Sequence, residues 1–232
     1  MSAIRPQLTD TANALLGGSA PIDGWRDAGF GGLLRPEADD DIGGDWDDAC
    51  AVLRLVGYQR PDLTVAPLIL EGAGGDPLLD GALATVALIG GALQKLLEMS
   101  IDYANTRVQF SKPIAKQQAL QQSLAILAEE AAISAVVAQS AAEAHDRGPA
   151  AFEIACAKIR ANRAAAQGVT IAHQAHGAIG FTQEFALQGY TRKLSEWRSE
   201  YGGTALWTAR VGETACAAPG SALWPMLTAL SD

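Results

Sequence analysis

The chain has 232 residues, of which 49% are hydrophobic and 19% charged, a composition typical of a globular protein with ample length for a core. Its formal net charge of −9 lies entirely in residues 1–80, which carry 14 acidic and 5 basic residues, whereas residues 81–232 carry 12 of each. An acidic chain without a basic stripe argues against nucleic-acid binding. The electrically balanced part is the better place for an anionic ligand.

Membrane and metal roles are not favoured either. No run of 18 apolar residues is free of charge, and residues 1–10 lack the basic-then-apolar pattern of a signal peptide. The three cysteines, Cys50, Cys156 and Cys216, are scattered and odd in number, which favours buried reduced thiols over disulfides or metal ligands. We therefore expect a cytoplasmic protein without a membrane span or metal site.

The first third of the chain is predicted to form short helices, because apolar residues recur there at helical spacing. Asp45, Asp47 and Asp48 suit the positive N-terminal end of one of them, and Pro61 follows its end. The same aspartates could instead suggest a metal site, but no matching ligand spacing accompanies them. The predicted helices of this region span residues 7–16, 21–28 and 45–59.

The sequence EGAGGDP at residues 71–77 is the strongest break in the chain, with three glycines and a proline. We place a boundary there, between an N-terminal helical part (1–77) and a C-terminal part (78–232). The C-terminal part is rich in alanine and leucine over many helical turns, which predicts an all-α, antiparallel up-down four-helix bundle. Its predicted helices span residues 78–106, 117–146, 150–178 and 205–217.

Two stretches of the predicted bundle carry candidate chemistry. The first, YANTRVQFSKPIAKQQ at residues 103–118, ends a helix at an arginine and continues through a short loop into a glutamine-rich helix. The second, HQAHGAIGFTQEF at residues 173–185, ends a long helix in small residues and glycines, where a ligand can approach the backbone closely. Each stretch alone is weak evidence for a site.

Together, in this order and spacing, the two stretches resemble the acyl-CoA dehydrogenase family. The C-terminal bundle of that family carries a Y-A-x-x-R-x-Q-F-G-x-P-I loop ahead of a glutamine, and a Q-x-x-G-G-x-G-[FY]-T-x-E turn after its third helix. The likeness covers about residues 81–215. The matching residues are Tyr103, Ala104, Arg107, Gln109, Phe110, Pro113, Ile114, Gln118, Gln174, Gly177, Gly180, Phe181, Thr182 and Glu184.

The likeness extends more faintly upstream, where GWRDAGFGGLLRPEADDDIGG at residues 24–44 resembles the family's N-terminal helical domain. The family has a β-domain of about a hundred residues between these two helical regions. Here no strand-rich segment fills that place. The resemblance therefore implies a short member of the family in which the middle β-domain is missing.

The resemblance implies FAD-dependent α,β-dehydrogenation of an acyl-CoA thioester, within fatty acid or steroid catabolism. In the family the two motifs hold the adenylate and pyrophosphate of FAD, largely from the neighbouring subunit. Carried over, Arg107 would pair with the pyrophosphate, although a surface or structural salt bridge is the alternative. The other residues that would line this site are Gln109, Phe110, Gln118, Gln174, His176 and Gly177.

The histidines carry alternatives of their own. His176 lies inside the motif and either contacts the cofactor or serves only as a structural hydrogen bonder. For His173 and His145 the structural role is favoured. Zinc binding is disfavoured, because no thiolate or carboxylate completes a ligand set.

The catalytic base of the family occupies one of two positions. One position is a glutamate in a Y-E-G-T sequence, which falls here on Tyr201 with Glu200 beside it. The other is a glutamate early in the first bundle helix, which falls on Gly81 with Asp80 beside it. We take Glu200 as the candidate base, since a one-residue shift in a loop could restore it.

Two hypotheses remain. The chain is a flavoprotein or flavoprotein subunit that acts in a homodimer, a homotetramer or a heteromer with a full-length acyl-CoA dehydrogenase, with electron-transfer flavoprotein as a further candidate partner. Alternatively, it is a non-catalytic structural subunit of the same fold that has lost flavin binding. The retained Arg107 and Gln174 favour the first, and Gly81 and Tyr201 favour the second.

Overall fold

The computed structural model describes residues 2–18, 21–35, 41–217 and 219–228, which are almost entirely helical. The all-α prediction is therefore confirmed. The only strands in the described residues form a two-stranded antiparallel hairpin. The elements are α1 (Arg5–Gly17), α2 (Ile22–Asp27), α3 (Trp46–Gln59), α4 (Ala66–Leu70), α5 (Pro77–Thr106), β1 (Val108–Gln109), β2 (Lys112–Pro113), α6 (Gln118–Arg147), α7 (Ala151–His176), α8 (Leu187–Trp197), α9 (Thr204–Ala217) and α10 (Gly220–Thr228).

The three long helices begin and end close to the predicted residues, because local signals mark their ends. The Asp76 carboxylate accepts a hydrogen bond from the Leu78 amide at 2.8 Å, and Pro77 is the first helical residue of α5. At the other ends, α6 stops at Gly148 and α7 at Gly177, both with positive φ. Helices α5, α6 and α7 pack on one another, and α9 packs on α7 as the fourth member of the bundle.

The N-terminal part packs directly on the bundle through α3, which crosses α5 at very close range. A Cβ at Gly57 would overlap the Leu88 carbonyl, and a Cβ at Gly91 would overlap the Arg54 carbonyl. Only glycine at both positions lets the two backbones approach so closely. The buried apolar side chains of both parts form one continuous core, from Leu8 to Trp207. The division of the chain near residue 77 stays a prediction.

The aspartates predicted to suit a helix N-terminus lie at the start of α3, with Asp45 as its N-cap and Asp47 and Asp48 in its first turn. The Asp45 carboxylate accepts from the Asp48 amide at 2.7 Å, which is the N-cap arrangement. Arg5 of α1 lies against the same acids, with its guanidinium 2.6 Å from Asp47 and 2.8 Å from Asp48. Among the described residues no three His, Cys, Asp or Glu side chains converge as a metal site.

Residues 60–76, which the structure describes throughout, connect α3 to α5 through loops and the short helix α4. No β-domain lies between these two helices. Both α5 and α6 are long and apolar enough to cross a membrane by length and composition alone. The apolar window of α5 is 78% buried in the chain's own core, whereas that of α6 is only 33% buried. Core helices of soluble proteins meet the same criteria, so the predicted lack of a membrane span stays a prediction.

The hairpin turn is strained at a residue that can be tested. Phe110 and Ser111 both have positive φ, 49° and 62°, as a tight hairpin turn requires. The family motif has glycine at the second position, where a Cβ costs conformational energy. We expect Ser111→Gly to raise the free energy of unfolding by about 0.5–1 kcal/mol in urea denaturation.

The matched control is Ser123→Gly inside α6, where glycine is unfavourable. We expect that variant to lose about 0.5–1 kcal/mol. Equal effects of the two variants would contradict the argument from hairpin strain.

Candidate functional site

A cavity of about 430 Å³ lies where the C-terminal ends of α5 and α7 meet the hairpin. Its walls come from both sequence motifs, which are about 70 residues apart along the chain. Five of the predicted cofactor-binding residues border it: Arg107, Gln109, Gln174, His176 and Gly177. Its other lining residues are Tyr103, Ile114, Gln117, Leu120, Ala175, Ala178 and Ile179.

The hairpin presents Arg107 and Gln109 at the rim of this cavity. Helix α5 ends because Arg107 is extended, with φ −75° and ψ 117°. The Ile114 amide then donates to the Arg107 carbonyl at 2.9 Å, and the Ile114 side chain is buried. This anchor fixes the base of the hairpin, so the two polar side chains emerge from an ordered backbone.

Arg107 stands at the rim of the cavity as an exposed cation. Its side chain is exposed, and no carboxylate of the described residues lies within 4 Å of it. A guanidinium without an internal partner, next to amide side chains, suits phosphate oxygens. The salt-bridge alternative is thus not realised within the described part of the chain.

His176 forms a rigid aromatic wall of the cavity. Its ring stacks on Tyr103, with centroids 4.5 Å apart and planes 25° apart. Its Nδ1 lies 2.8 Å from the Ala172 carbonyl, so Nδ1 must carry the proton that it donates. Burial lowers the pKa of His176, which keeps the ring neutral near pH 7. His173 instead contacts the Thr191 hydroxyl at 3.2 Å, and its structural role stays a prediction.

Gly177 opens the backbone at the end of α7. It has φ 64° and ψ −144°, which residues with a Cβ rarely adopt, and a Cβ there would meet nothing within 4 Å. Gln174 lies one turn earlier, with its side chain exposed. The second glycine of the family turn is Ala178 here, and it also lines the cavity. The wall therefore offers exposed backbone as well as an amide side chain.

Two predicted residues lie outside the cavity. Phe110 is at the tip of the hairpin, 92% exposed, because the turn directs it outward. Gln118 is the first residue of α6 and is exposed, while its neighbour Gln117 borders the cavity. Neighbouring residues at a helix start point about 100° apart, so the spacing alone could not choose between the two glutamines.

Tyr103 is a site residue that the sequence did not single out, although it stands in the quoted motif. Its position four residues before Arg107 places it one helical turn away, on the same side of α5. An aromatic residue at that spacing is the signal from which its role could be inferred. Ile179 and Leu120 had no such signal, because apolar residues of a helix end are more often core.

At the other end of α5, the two family positions for a base meet each other. The Tyr201 ring lies directly on Gly81, where a Cβ would overlap it. These residues are 120 positions apart in sequence, and each corresponds to a position where the family places its glutamate. The fold therefore brings these two positions into contact. Neither position holds a carboxylate here.

The neighbouring carboxylates differ in setting. Glu200 is exposed and borders a cavity of about 290 Å³. Asp80 is buried, with Oδ1 2.9 Å from Nε2 of His145, and it borders a second cavity of about 330 Å³. His145 thus contacts a buried carboxylate, and its structural role stays a prediction. Glu200 is the carboxylate that can be reached from solvent.

Lys158, which the sequence did not single out, is completely buried below the turn that carries Glu200. Its Nζ donates to the Thr85 hydroxyl at 2.6 Å and to the Trp197 carbonyl at 2.7 Å. Burial lowers the pKa of this amine to about 7, while the charge of Glu200 acts in the opposite direction. The amine ties α7 to α5 and to the end of α8, where the Glu200 turn begins.

Comparison with known proteins identifies relatives of this chain. The curated 3-sulfinopropanoyl-CoA desulfinase of Paraburkholderia xenovorans (strain LB400) is 34% identical over 152 residues, covering 63% of this chain and 38% of that protein. The ChsE4-ChsE5 complex from Mycobacterium tuberculosis superposes with a TM-score of 0.59 at 25% identity, over 61% of this chain and 39% of the matched one. The FAD complex of PigA superposes with a TM-score of 0.57 at 26% identity, over 62% of this chain and 39% of the matched one.

The match thus spans about two fifths of the length of these relatives. The family described as "Acyl-CoA dehydrogenase, C-terminal domain" matches residues 76–205, more than half of the chain. This range contains both motifs and the Gly81–Tyr201 contact. The chain therefore belongs to the acyl-CoA dehydrogenase family, through the helical C-terminal domain of that family.

Proposed function

We propose that this chain is a subunit of a cytoplasmic, FAD-dependent acyl-CoA dehydrogenase and supplies the adenine side of a flavin site across a subunit interface. The observation that carries the proposal is the cavity of about 430 Å³ that unites Arg107, Gln109, Gln174, His176 and Gly177. Two motifs distant in sequence converge there. That convergence is what a built binding site requires.

The donor set of this cavity fits the adenosine-diphosphate half of FAD. Arg107 offers an exposed guanidinium for the pyrophosphate, and no carboxylate of the described residues pairs with it. Gln109 and Gln174 offer amide donors and acceptors, and Gly177 leaves backbone exposed. The neutral His176–Tyr103 stack forms a flat wall, which suits a planar base. A purely structural loop would not need these features together.

The position of the two sites supports a shared flavin site rather than one within a single chain. Gly81 and Tyr103, which mark the two sites, are 22 residues apart on α5. At about 1.5 Å per residue this separates the two sites by about 33 Å along the helix axis, at opposite ends of α5. The adenine-side cavity and the Tyr201 region of one chain would therefore serve different cofactor molecules.

A face of α6 that the described residues leave exposed supports assembly with another chain. Ile126, Ile133 and Val136 lie on its outer side and are 39%, 38% and 64% exposed. Apolar side chains clustered on a surface mark protein contacts. We propose a homo-oligomer or a heteromer with a full-length acyl-CoA dehydrogenase, in which the partner contributes what surrounds the flavin ring, and electron-transfer flavoprotein as acceptor.

Glu200 is the proposed base of the reaction. In this family FAD, when bound, supplies the acceptor for the hydride that leaves Cβ of the thioester. Glu200 would take the proton that leaves the α-carbon, so that one proton and one hydride are removed for each double bond formed. Its place beside the cavity of about 290 Å³, next to the Gly81–Tyr201 contact, supports this role.

The first test is flavin content. We expect the chain, purified together with a full-length acyl-CoA dehydrogenase partner, to show flavin absorbance bands. We expect the chain alone to bind FAD weakly, because it offers only the adenine side. Colourless protein in both preparations would refute the proposed function.

Arg107→Ala should weaken FAD binding by about 30-fold, because a charge-assisted bond to phosphate contributes about 2 kcal/mol. The measurement is the dissociation constant of FAD for the assembled complex, by flavin fluorescence. Lys112→Ala is the control, since Lys112 is an exposed cation of the same hairpin that does not border the cavity. Equal losses in the two variants would assign the effect to general charge.

Glu200→Gln should lower the turnover number for acyl-CoA at least 100-fold, the usual effect of removing a positioned base. The variant should keep its flavin, because residue 200 is far from the adenine-side cavity. Glu196→Gln is the control, an exposed carboxylate of the preceding turn that pairs with Lys193 at 2.7 Å. Undiminished turnover in the Glu200 variant would remove Glu200 from the mechanism.

A non-catalytic subunit of the same fold is the second candidate function. The observation that favours it is the Tyr201 ring, which fills the space above Gly81 where the family places its carboxylate. In that case the chain would contribute the adenine side to a partner's flavin and no base of its own. Flavin retention together with unchanged turnover in the Glu200 variant would support this candidate.

A further inference from the structure

Two cavities meet at Tyr201. The first, which we name the Glu200 cavity, measures about 290 Å³, and its walls include Leu63, Leu88 and Glu200. The second, which we name the Asp80 cavity, measures about 330 Å³, and its walls include Leu70 and Asp80. Tyr201 and Pro67 border both cavities. The Tyr201 ring is therefore part of a partition between two spaces.

The backbone holds Tyr201 in a conformation that it would not adopt freely. Its φ is 51°, in the left-handed region that bulky residues avoid. The indole Nε1 of Trp207 donates to the carbonyls of Tyr201 and Gly202, both at 3.1 Å. A strained residue persists only where its surroundings fix it, and such residues cluster at functional sites.

The opposite wall is shaped for the same ring. Glycine is the only residue type at position 81 that leaves room for Tyr201, because any Cβ there would overlap the ring. At the start of the turn, Lys158 holds the Trp197 carbonyl at 2.7 Å. Helix α5 thus contacts the Tyr201 ring, α9 holds its backbone carbonyl, and α7 holds the carbonyl of Trp197 at the start of the turn. The ring is placed against Gly81 by a turn that is fixed at both ends.

We propose that Tyr201 determines which acyl groups this chain accepts, by keeping the Glu200 cavity separate from the Asp80 cavity. The inference rests on the proposed function, in which the acyl group lies beside Glu200. At about 290 Å³ the Glu200 cavity is at the small end of ligand sites, which begin at about 300 Å³. With the ring in place the site takes short acyl chains. Without it, a longer chain continues into the Asp80 cavity along Leu70 and Pro77.

The test compares Tyr201→Ala with Tyr201→Phe. In the flavin-containing assembly, we measure kcat/KM for decanoyl-CoA relative to butanoyl-CoA. Tyr201→Ala should raise this ratio at least tenfold, because several more methylene groups find an apolar wall. Tyr201→Phe keeps the ring and should keep the wild-type ratio. An unchanged ratio in the alanine variant would overturn the proposal.

A second readout is independent of the redox reaction. Dissociation constants of the purified chain for the unreactive analogues 3-thiabutanoyl-CoA and 3-thiadecanoyl-CoA should shift in the same direction, towards the longer analogue in Tyr201→Ala. If the wild-type assembly holds no flavin, the proposed function fails, while this binding comparison still decides the role of Tyr201. Equal preferences in wild type and Tyr201→Ala would overturn it.

Tyr201→Leu guards against a variant that does not fold. Leucine is smaller than tyrosine yet still fills part of the space over Gly81, so we expect an intermediate chain-length preference. A graded order from Tyr201 through leucine to alanine supports a steric partition. A loss of preference for every chain length alike, in folded protein, would contradict it.

Discussion

Gly91→Ala should lower the free energy of unfolding by about 3 kcal/mol, one of the largest single-site effects expected in this chain. A Cβ at position 91 would overlap the Arg54 carbonyl and lie 2.8 Å from the Tyr58 amide nitrogen. These are backbone atoms of α3, so no change of side-chain rotamer can relieve the overlap. The helix must move away from α5, which opens the core between the two helices. Urea denaturation followed by circular dichroism measures the loss.

Gly189→Ala is the matched control for this substitution. Gly189 lies on the exposed side of α8, and a Cβ there would meet nothing within 4 Å. Alanine should therefore stabilise the chain by about 0.5–1 kcal/mol, through helix propensity and the unfolded state. If Gly91→Ala were as stable as wild type, the close crossing of α3 and α5 would be wrong.

The helices were predictable because local chemistry marks their ends. Asp76 and Pro77 start α5, Gly148 follows α6, and Gly177 follows α7, and each signal acts within a few residues. The close crossing of α3 and α5 was not predictable in the same way. A glycine in a helix is equally consistent with a packing contact and with an exposed position, as Gly91 and Gly189 demonstrate.

The candidate site was likewise predictable where local motifs define it, and not where it depends on contacts between distant segments. The two motifs were enough to predict that Arg107, Gln109 and Gln174 share one site, because each motif stands at a helix end. The spacing could not decide between Gln117 and Gln118, which requires the direction of a side chain. Nor could it reveal that Tyr201 lies on Gly81, since that contact depends on how the turn after α8 folds back on α5.

The burial of Lys158 could be inferred from its helical spacing, although a lysine is usually exposed. It follows Ile154 by four residues and precedes Ala161 by three, both of which are buried, so helical spacing puts it on the inner face of α7. A lysine among Arg160 and Arg163 nevertheless suggests a solvated surface. The helical spacing of apolar residues therefore predicts the burial of Lys158 better than its residue type does.

The burial of Lys158 should make stability depend strongly on pH above neutrality. Below pH 7 the amine is protonated in both the folded and the unfolded chain, so the cost of burying its charge is fully present. Above pH 7 the folded-state amine is neutral, with a pKa of about 7, whereas the unfolded amine, with an ordinary pKa of about 10.4, still binds a proton. The free energy of unfolding should therefore rise by about 2 kcal/mol between pH 7 and pH 9 from this group.

Lys158→Met isolates this contribution, because methionine fills the same space without a titrating group. Urea denaturation at pH 7, 8 and 9 should show a stability difference between wild type and variant that grows with pH in favour of wild type. Lys112→Met, at an exposed site of the hairpin, should keep the pH dependence of wild type. Parallel pH curves for wild type and Lys158→Met would mean that the Lys158 amine stays charged in the folded chain. Thr85 and the Trp197 carbonyl would then have to hold a full buried cation together with Glu200.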